Sequence, residues 1–371
     1  MTDRQNHTER PYRPDEPDEP DEPDDLVDLG WGPDLAAAMA EHEPGATPGR
    51  VTRADRAGVE VLGRDGPLRA LLGPRLPDAV PPTTGDWVVV RHRADGRAVC
   101  DAVLPRRTAV VRGASDRTSA GQVLAANVDV VAVAEPLDPE PDLGRIERLL
   151  VLAWGSGAQP LVVLTKADLV PDADWLARDA VAAAPGVEVL LLSATTGAGV
   201  AQLRGRIGRG RTLAVLGPSG AGKSTLTNAL AGREVMAVRA PRRDGKGRHT
   251  TEHRELVPLP GGGVVLDTPG LRGIALVADD DSLAAAFAEI DELAAACRFR
   301  DCGHAAEPGC AVLAAVESGD LEPRRLESWR RLGREARWQA ARQDARLRAQ
   351  EVAVWKRRHR EMRRVYRERG R

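Results

Sequence analysis

Gly217-Pro218-Ser219-Gly220-Ala221-Gly222-Lys223-Ser224 is the stretch that decides the fold class. It fills the pattern G-x-x-x-x-G-K-S. The apolar run at 213–216 before it predicts a buried strand, and residues 224–230 after it predict the opening of a helix. A phosphate-binding loop requires that strand–loop–helix setting. Its glycines let the backbone turn tightly and aim N–H groups at phosphate oxygens. The helix N-terminus adds partial positive charge. Lys223 is placed to reach the β- and γ-phosphates and Ser224 to bind Mg²⁺, with Thr225 beside them in the phosphate-binding set. A chance glycine-rich turn would lack this setting.

Downstream, the apolar run 264–266 leads into Asp267-Thr268-Pro269-Gly270. Asp267 is expected to hold Mg²⁺ through a water, and the Gly270 N–H to sense the γ-phosphate. D-x-x-G alone is a common strand-end turn; its place after a strand, beyond the phosphate loop, gives it weight. Between the two lies Ala240-Pro241-Arg242-Arg243-Asp244-Gly245-Lys246-Gly247-Arg248-His249-Thr250-Thr251, polar, basic and predicted to be a mobile loop. Thr250 or Thr251, equally placed by sequence, is expected to complete the Mg²⁺ shell in the triphosphate state. Many enzymes of this kind carry a water-orienting Gln just after D-x-x-G. Here that position is Leu271, which cannot hydrogen-bond to water. His249 is the candidate catalytic group within the chain, because an imidazole can orient or polarise a water near neutral pH.

A second apolar run, 160–164, is followed by Thr165-Lys166-Ala167-Asp168. A carboxylate at Asp168 can accept from guanine N1–H and N2–H₂ together. Adenine lacks that donor pair, so the same carboxylate rejects ATP. The Lys166 stem can lie across the base plane. Thr165 stands where the common motif has Asn, and a hydroxyl offers fewer hydrogen-bond sites than an amide. Ser193-Ala194, after the apolar run 189–192, resembles the backbone loop that contacts guanine O6. This base motif normally follows the phosphate loop. Here it precedes it, so the chain reads as a nucleotide-binding fold whose ends have been rejoined elsewhere, a circular permutation.

Three of the four cysteines lie in Cys297-Arg298-Phe299-Arg300-Asp301-Cys302-Gly303-His304-Ala305-Ala306-Glu307-Pro308-Gly309-Cys310. Three thiolates and one imidazole at this spacing can close a tetrahedral Cys₃His set with no open position, the pattern of a structural zinc. No secretory signal is apparent, so disulfides are not expected. Cys100, within an alternating apolar stretch, reads as a buried packing residue.

A chain of 371 residues has room for two or three domains. Residues 1–48 read as a mostly disordered acidic tail with a short helix near 34–41, and Pro-Asp-Glu occurs three times in succession at 14–22. Residues 49–112 show short alternating runs at 58–62, 68–72, 87–91 and 98–103 between turn signals, a small β-barrel pattern. Few aromatics stand there, so base stacking is not its expected mode. Residues 113–278 alternate apolar strands with helical stretches, implying an α/β sheet. Residues 279–332 are helical around the metal loop, with one helix expected over 283–296. Residues 333–371 read as a basic helical tail. From Arg330 to Arg371 there are 16 Lys/Arg against 5 Asp/Glu, a balance suited to an RNA backbone. No apolar run reaches membrane-spanning length.

The order T-K-A-D, S-A, phosphate loop, R-H-T-T, D-T-P-G, closed by the Cys/His cluster, resembles the circularly permuted GTPases of the ribosome small-subunit-dependent GTPase A (RsgA) family. The resemblance also takes in Gly85-Asp86, Ala126-Asn127-Val128-Asp129 and Gly247-Arg248-His249-Thr250-Thr251. It supports His249, since the family carries a His at this place. It implies an N-terminal OB-fold barrel, a central circularly permuted P-loop GTPase domain and a C-terminal helical zinc-binding domain. It further implies hydrolysis of GTP to GDP and phosphate, stimulated by the 30S subunit during its late maturation. Contact with 16S rRNA, a monomeric state and a cytoplasmic location go with that reading. The alternative is a nucleotide-gated RNA-binding scaffold with negligible catalysis of its own. An ATP-using enzyme is opposed by Asp168.

Overall fold

The computed structural model describes residues 26–76, 81–112, 122–236, 254–267 and 280–339. The alternating runs of the N-terminal part form strands β1 (Thr47–Ala54), β2 (Gly58–Gly63), β3 (Gly66–Leu72), β4 (Trp87–His92) and β5 (Ala98–Val103). They close a barrel in the order β1-β2-β3-β5-β4, with β3 parallel to β5 and the other pairs antiparallel. This is an OB-type barrel. Val51, Val59, Val61, Ala70, Val88, Val90 and Cys100 fill it. Burial pushes the Cys100 thiol up to about 12, as befits a packing residue.

β1 is not among the expected runs: it has little apolar alternation, because its central Arg50 is itself buried. The short helix expected near 34–41 forms ahead of β1, at 33–40. Helix α1 (Pro33–Ala40) and the turn ahead of it carry Leu26, Leu29 and Leu35 into a core shared with Trp87, Leu104, Leu256 and Val264. Apolar spacing resumes right after the acidic run ends, and burial follows it. The acidic repeat itself lies outside the described residues.

Strands β6 (Ala109–Arg112) and β7 (Gln122–Ala126) pair antiparallel and lead out of the barrel. The α/β part then runs β8 (Val130–Pro136), α2 (Leu143–Gly155), β9 (Gln159–Thr165), α3 (Ala173–Ala182), β10 (Val189–Leu191), α4 (Val200–Ile207), β11 (Thr212–Leu216), α5 (Lys223–Ala231), β12 (Glu255–Pro258) and β13 (Val264–Asp267). The six strands form one sheet in the order β10-β9-β8-β11-β13-β12, parallel except for the edge strand β12. Strands covered on both faces need continuous apolar runs, which explains why β8, β9 and β11 read so plainly.

The C-terminal part comprises α6 (Asp280–Ala286), α7 (Ala288–Ala294), α8 (Ala311–Ser318) and α9, residues 323–339. The single helix expected over 283–296 is broken at Phe287, whose φ of −131° and ψ of 44° leave the helical region. The Phe287 ring is fully buried with the Arg325 guanidinium 4.2 Å above it. Arg325 Nη2 donates to the Ala286 carbonyl at 3.1 Å, taking an acceptor freed by the break. The expected boundary at 332 falls inside α9, which runs through it unbroken.

A buried polar seam joins this part to the sheet layer. Glu147 on α2 accepts from Arg324 at 2.7 Å, from Arg325 at 2.9 Å and from the Ser328 hydroxyl. Arg325 also donates to Glu289 and to the Ala183 carbonyl. Next to Glu147 on α2, Arg148 pairs with Glu335, about two turns beyond Ser328 on α9, at 2.6 Å. Among the described residues no helix is long and apolar enough to cross a membrane.

Candidate functional site

The carboxyl ends of parallel strands are where an open α/β sheet binds ligands, and the predicted groups converge there. Phosphate-loop residues Gly217 to Gly222 join β11 to α5. Gly217 has no room for a side chain: a Cβ would lie 2.2 Å from the Ala134 carbonyl oxygen on β8. That close approach seats the loop against the neighbouring strand. Gly222 caps α5 in the left-handed region, with φ 77°. Pro218, Ser219 and Gly220 form the open part of the loop, and Ala221 is buried. The Lys223 ammonium donates to the carbonyls of Gly217 at 2.9 Å and Pro218 at 2.7 Å, so it already lies over the loop. Ser224 and Thr225 occupy the first turn of α5, half-buried.

Thr165 ends β9, two strands away from β11 across β8. Its hydroxyl donates to the Ala221 carbonyl at 2.8 Å. The first residue of the base motif is thus tied to the phosphate loop, 56 positions later in the chain. Lys166 follows in the left-handed region, with φ 60°, which turns the chain out of the sheet. Ala167 to Leu169 form a single 3₁₀ turn, leaving Asp168 exposed at the edge. The Ala167 N–H donates to the Leu192 carbonyl at 3.2 Å, drawing the Ser193-Ala194 loop alongside. Ser193 is buried, and its hydroxyl accepts the Thr196 N–H at 3.2 Å, which shapes that loop. Asp267 ends β13, in register with Val215 on β11, and is buried at the same edge. A carboxylate and a hydroxyl are hard oxygen donors, the kind Mg²⁺ prefers. His249, Thr250, Thr251 and Gly270 lie outside the described residues, as does Leu271.

Sequence reasoning missed Glu135. It is fully buried at the end of β8 and is held by Arg145 Nε at 2.8 Å and by the Asp142 N–H at 3.1 Å. Its own carbonyl lies 3.5 Å from the Thr165 hydroxyl. The one sequence signal is a lone carboxylate in the apolar run of β8.

The metal cluster is well formed. The ligand atoms of Cys297, Cys302, His304 and Cys310 lie within 4.8 Å of one another, so the cluster can hold a metal ion. Cys297 Sγ stands 3.6 Å from His304 Nδ1 and 3.9 Å from Cys310 Sγ, and His304 Nδ1 stands 3.4 Å from Cys310 Sγ. Bonds of about 2.0–2.3 Å to a tetrahedral centre give edges of roughly this length. A disulfide needs sulfurs at about 2.05 Å, and all four cysteines are free. Burial holds the His304 imidazole below its usual range, favouring the neutral form a metal binds. Cys310 caps α8, and its sulfur accepts the Leu313 N–H at 3.4 Å, which fixes it at the helix start. From α9, the Trp329 ring lies 5.5 Å from the His304 ring and Arg330 donates to the His304 carbonyl.

Comparison with known proteins agrees with this geometry. The RsgA GTPase family model matches residues 103–277. A small ribosomal subunit biogenesis GTPase RsgA from Streptomyces avermitilis is 53% identical over 340 residues, spanning 90% of this chain and 91% of the relative. Its counterpart in Streptomyces coelicolor is 53% identical over 341 residues, spanning 90% and 92%. Among solved structures, YjeQ from Thermotoga maritima matches with a TM-score of 0.59 at 26% identity, over 78% of this chain and 98% of its own. YloQ, a circularly permuted GTPase, matches with a TM-score of 0.58 at 24% identity, over 80% and 96%.

Proposed function

The chain belongs to the RsgA GTPase family, and on that premise we propose that it binds the 30S ribosomal subunit, assists its late maturation and hydrolyses GTP to leave it. The observation that carries this reading is the tie between Thr165 and Ala221, which unites base motif and phosphate loop at one sheet edge despite their inverted order. The names of the relatives supply the small subunit.

In this reading Gly217 to Gly222 present N–H groups to the phosphates, Lys223 neutralises the β- and γ-oxygens, and Asp168 with Lys166 selects guanine. The Ser193-Ala194 loop adds backbone contact to the base. Ser224, Asp267 and one of Thr250 and Thr251 hold Mg²⁺, which offsets charge developing on the transferred phosphoryl group. Gly270 senses the γ-phosphate. His249 orients the attacking water, since Leu271 cannot. Cys297, Cys302, His304 and Cys310 hold one structural Zn²⁺, the ion that a closed Cys₃His set suits best. The basic segment from Arg330 onward meets 16S rRNA phosphates. The protein acts as a monomer in the cytoplasm, where subunits are assembled.

Sedimentation with 30S subunits tests the coupling. Binding should be strong with a non-hydrolysable GTP analogue and weak with GDP, and 50S subunits should retain neither form. Equal retention by 30S in both nucleotide states would count against release by hydrolysis.

A further inference from the structure

Besides the apolar core that Trp87 and Leu104 share with Leu256 and Val264, the barrel meets the Mg²⁺ side of the nucleotide site through a polar turn, Thr83 to Asp86. The turn is stiff. The buried Asp86 carboxylate accepts the Thr83 N–H at 2.7 Å and a bidentate pair from Arg106 at 2.7 Å. Gly85 N–H donates to the Val51 carbonyl and Val51 N–H to the Asp86 carbonyl, both at 2.8 Å, fixing the turn to β1.

The outward face of the same turn grips the α/β part. Ala126 N–H donates to the Thr84 carbonyl at 3.1 Å, and Asn127 Nδ2 donates to the Gly85 carbonyl at 3.0 Å. The Thr84 hydroxyl donates to the Arg254 carbonyl at 3.4 Å. Gly85 has φ +91°, and a Cβ there would lie 2.3 Å from the Ala126 carbonyl oxygen and 3.2 Å from Leu266 Cδ1. Arg254 directly precedes β12, and Leu266 directly precedes Asp267. Since Glu255 on β12 pairs with Asp267 on β13, this turn touches both strands of the hairpin that carries the carboxylate.

We propose that the Thr83–Asp86 turn is a polar element through which the barrel sets the position of Asp267, with Thr84 as the positioning residue. The proposal rests on the GTPase reading above. Close-packed parts move together rather than deform, so a displacement of the barrel carries the β12–β13 hairpin with it. Mg²⁺ demands near-ideal octahedral geometry, which makes it responsive to a small shift of Asp267. Through this turn, whatever engages the barrel acts on the metal side of the nucleotide site.

The test uses full-length wild type, Thr84→Val and Thr84→Ser. Valine keeps the shape of this buried residue and removes only the hydroxyl; serine keeps the hydroxyl. The readout is the Mg²⁺ concentration at which release of a fluorescent GDP is half-slowed. Valine should raise that midpoint roughly fivefold, at the low end of couplings between sites, and serine should restore it. With 30S subunits, valine should lower stimulated turnover by a similar factor while subunit affinity stays unchanged. A valine midpoint equal to wild type, or one that serine fails to restore, overturns the proposal. Should 30S subunits not stimulate the wild type at all, the functional reading falls, and the Mg²⁺ midpoint still decides this inference.

Discussion

The Thr165 hydroxyl donates to the Ala221 carbonyl across 2.8 Å, and both groups are buried. This bond spends the hydroxyl's proton on the phosphate loop, so Thr165 ties the base motif to that loop. The missing Asn of the common motif is thereby accounted for on its structural side.

Thr165→Val should leave the Ala221 carbonyl without its donor, a loss of about 1–3 kcal/mol. GDP affinity should fall roughly tenfold, about 1.4 kcal/mol, with Thr165→Ser close to wild type. Titration with a fluorescent GDP checks this. Unchanged affinity in the valine variant would show that the tie does not shape the site.

Asp168 stands exposed at the sheet edge, where a base can reach it. Asp168→Asn replaces a double acceptor by a mixed donor and acceptor. Guanine preference should drop by roughly tenfold to a hundredfold, the worth of a hydrogen bond to a charged group at about 1.5–3 kcal/mol. Competition by GTP, GDP and ATP against labelled GDP measures it. ATP competing equally with GTP in the unaltered protein would remove Asp168 from base recognition.

Elemental analysis of protein purified without chelator should give one zinc per chain. Structural zinc contributes about 10–16 kcal/mol in small metal-folded peptides, so Cys302→Ser or prolonged chelation should unfold the metal loop and loosen α9, which packs on His304. Hydrogen exchange should show lost protection across 295–339 with the sheet unaffected. Metal-free protein retaining full protection there would contradict a structural role.

Glu147→Ala should remove the carboxylate that Arg324, Arg325 and Ser328 share, leaving Arg325 its pair with Glu289, at a cost of about 1–3 kcal/mol. Faster hydrogen exchange in α6 to α9 and a lowered thermal midpoint are the expected results. Glu147→Gln, which keeps acceptor and shape, should lose less. No change in either variant would mean that apolar packing alone holds the C-terminal part to α2.

What was legible in the sequence is what local chemistry dictates. Lys223, Asp168 and the Cys₃His ligands belong to short patterns, and the parallel strands betray themselves by unbroken apolar runs. What escaped depends on charge buried by distant parts of the chain. Arg50 breaks the pattern of β1, yet its guanidinium lies inside, donating to the carbonyls of Leu29 at 3.0 Å and Asn127 at 3.1 Å and to the Thr212 hydroxyl at 3.0 Å. Burial lowers its pKa to about 10, so it stays charged at neutral pH. Glu147 and Arg325, 178 positions apart, likewise look like surface residues until α9 folds back onto α2. The break at Phe287 was hidden for the same reason, since it takes Arg325 to hold it. Leu26 and Leu29 stand beside the acidic repeat in sequence, whereas in space they share a core with Trp87.

GTP turnover measured with purified 30S subunits, with 50S subunits and with no ribosome tests the central claim most directly. Turnover should be slow alone, unchanged by 50S, and raised by 30S by at least roughly tenfold, about 1.4 kcal/mol of barrier. His249→Ala should abolish most of that rise while nucleotide and subunit binding persist. Equal turnover under all three conditions would contradict the account and leave a nucleotide-gated RNA-binding scaffold in its place.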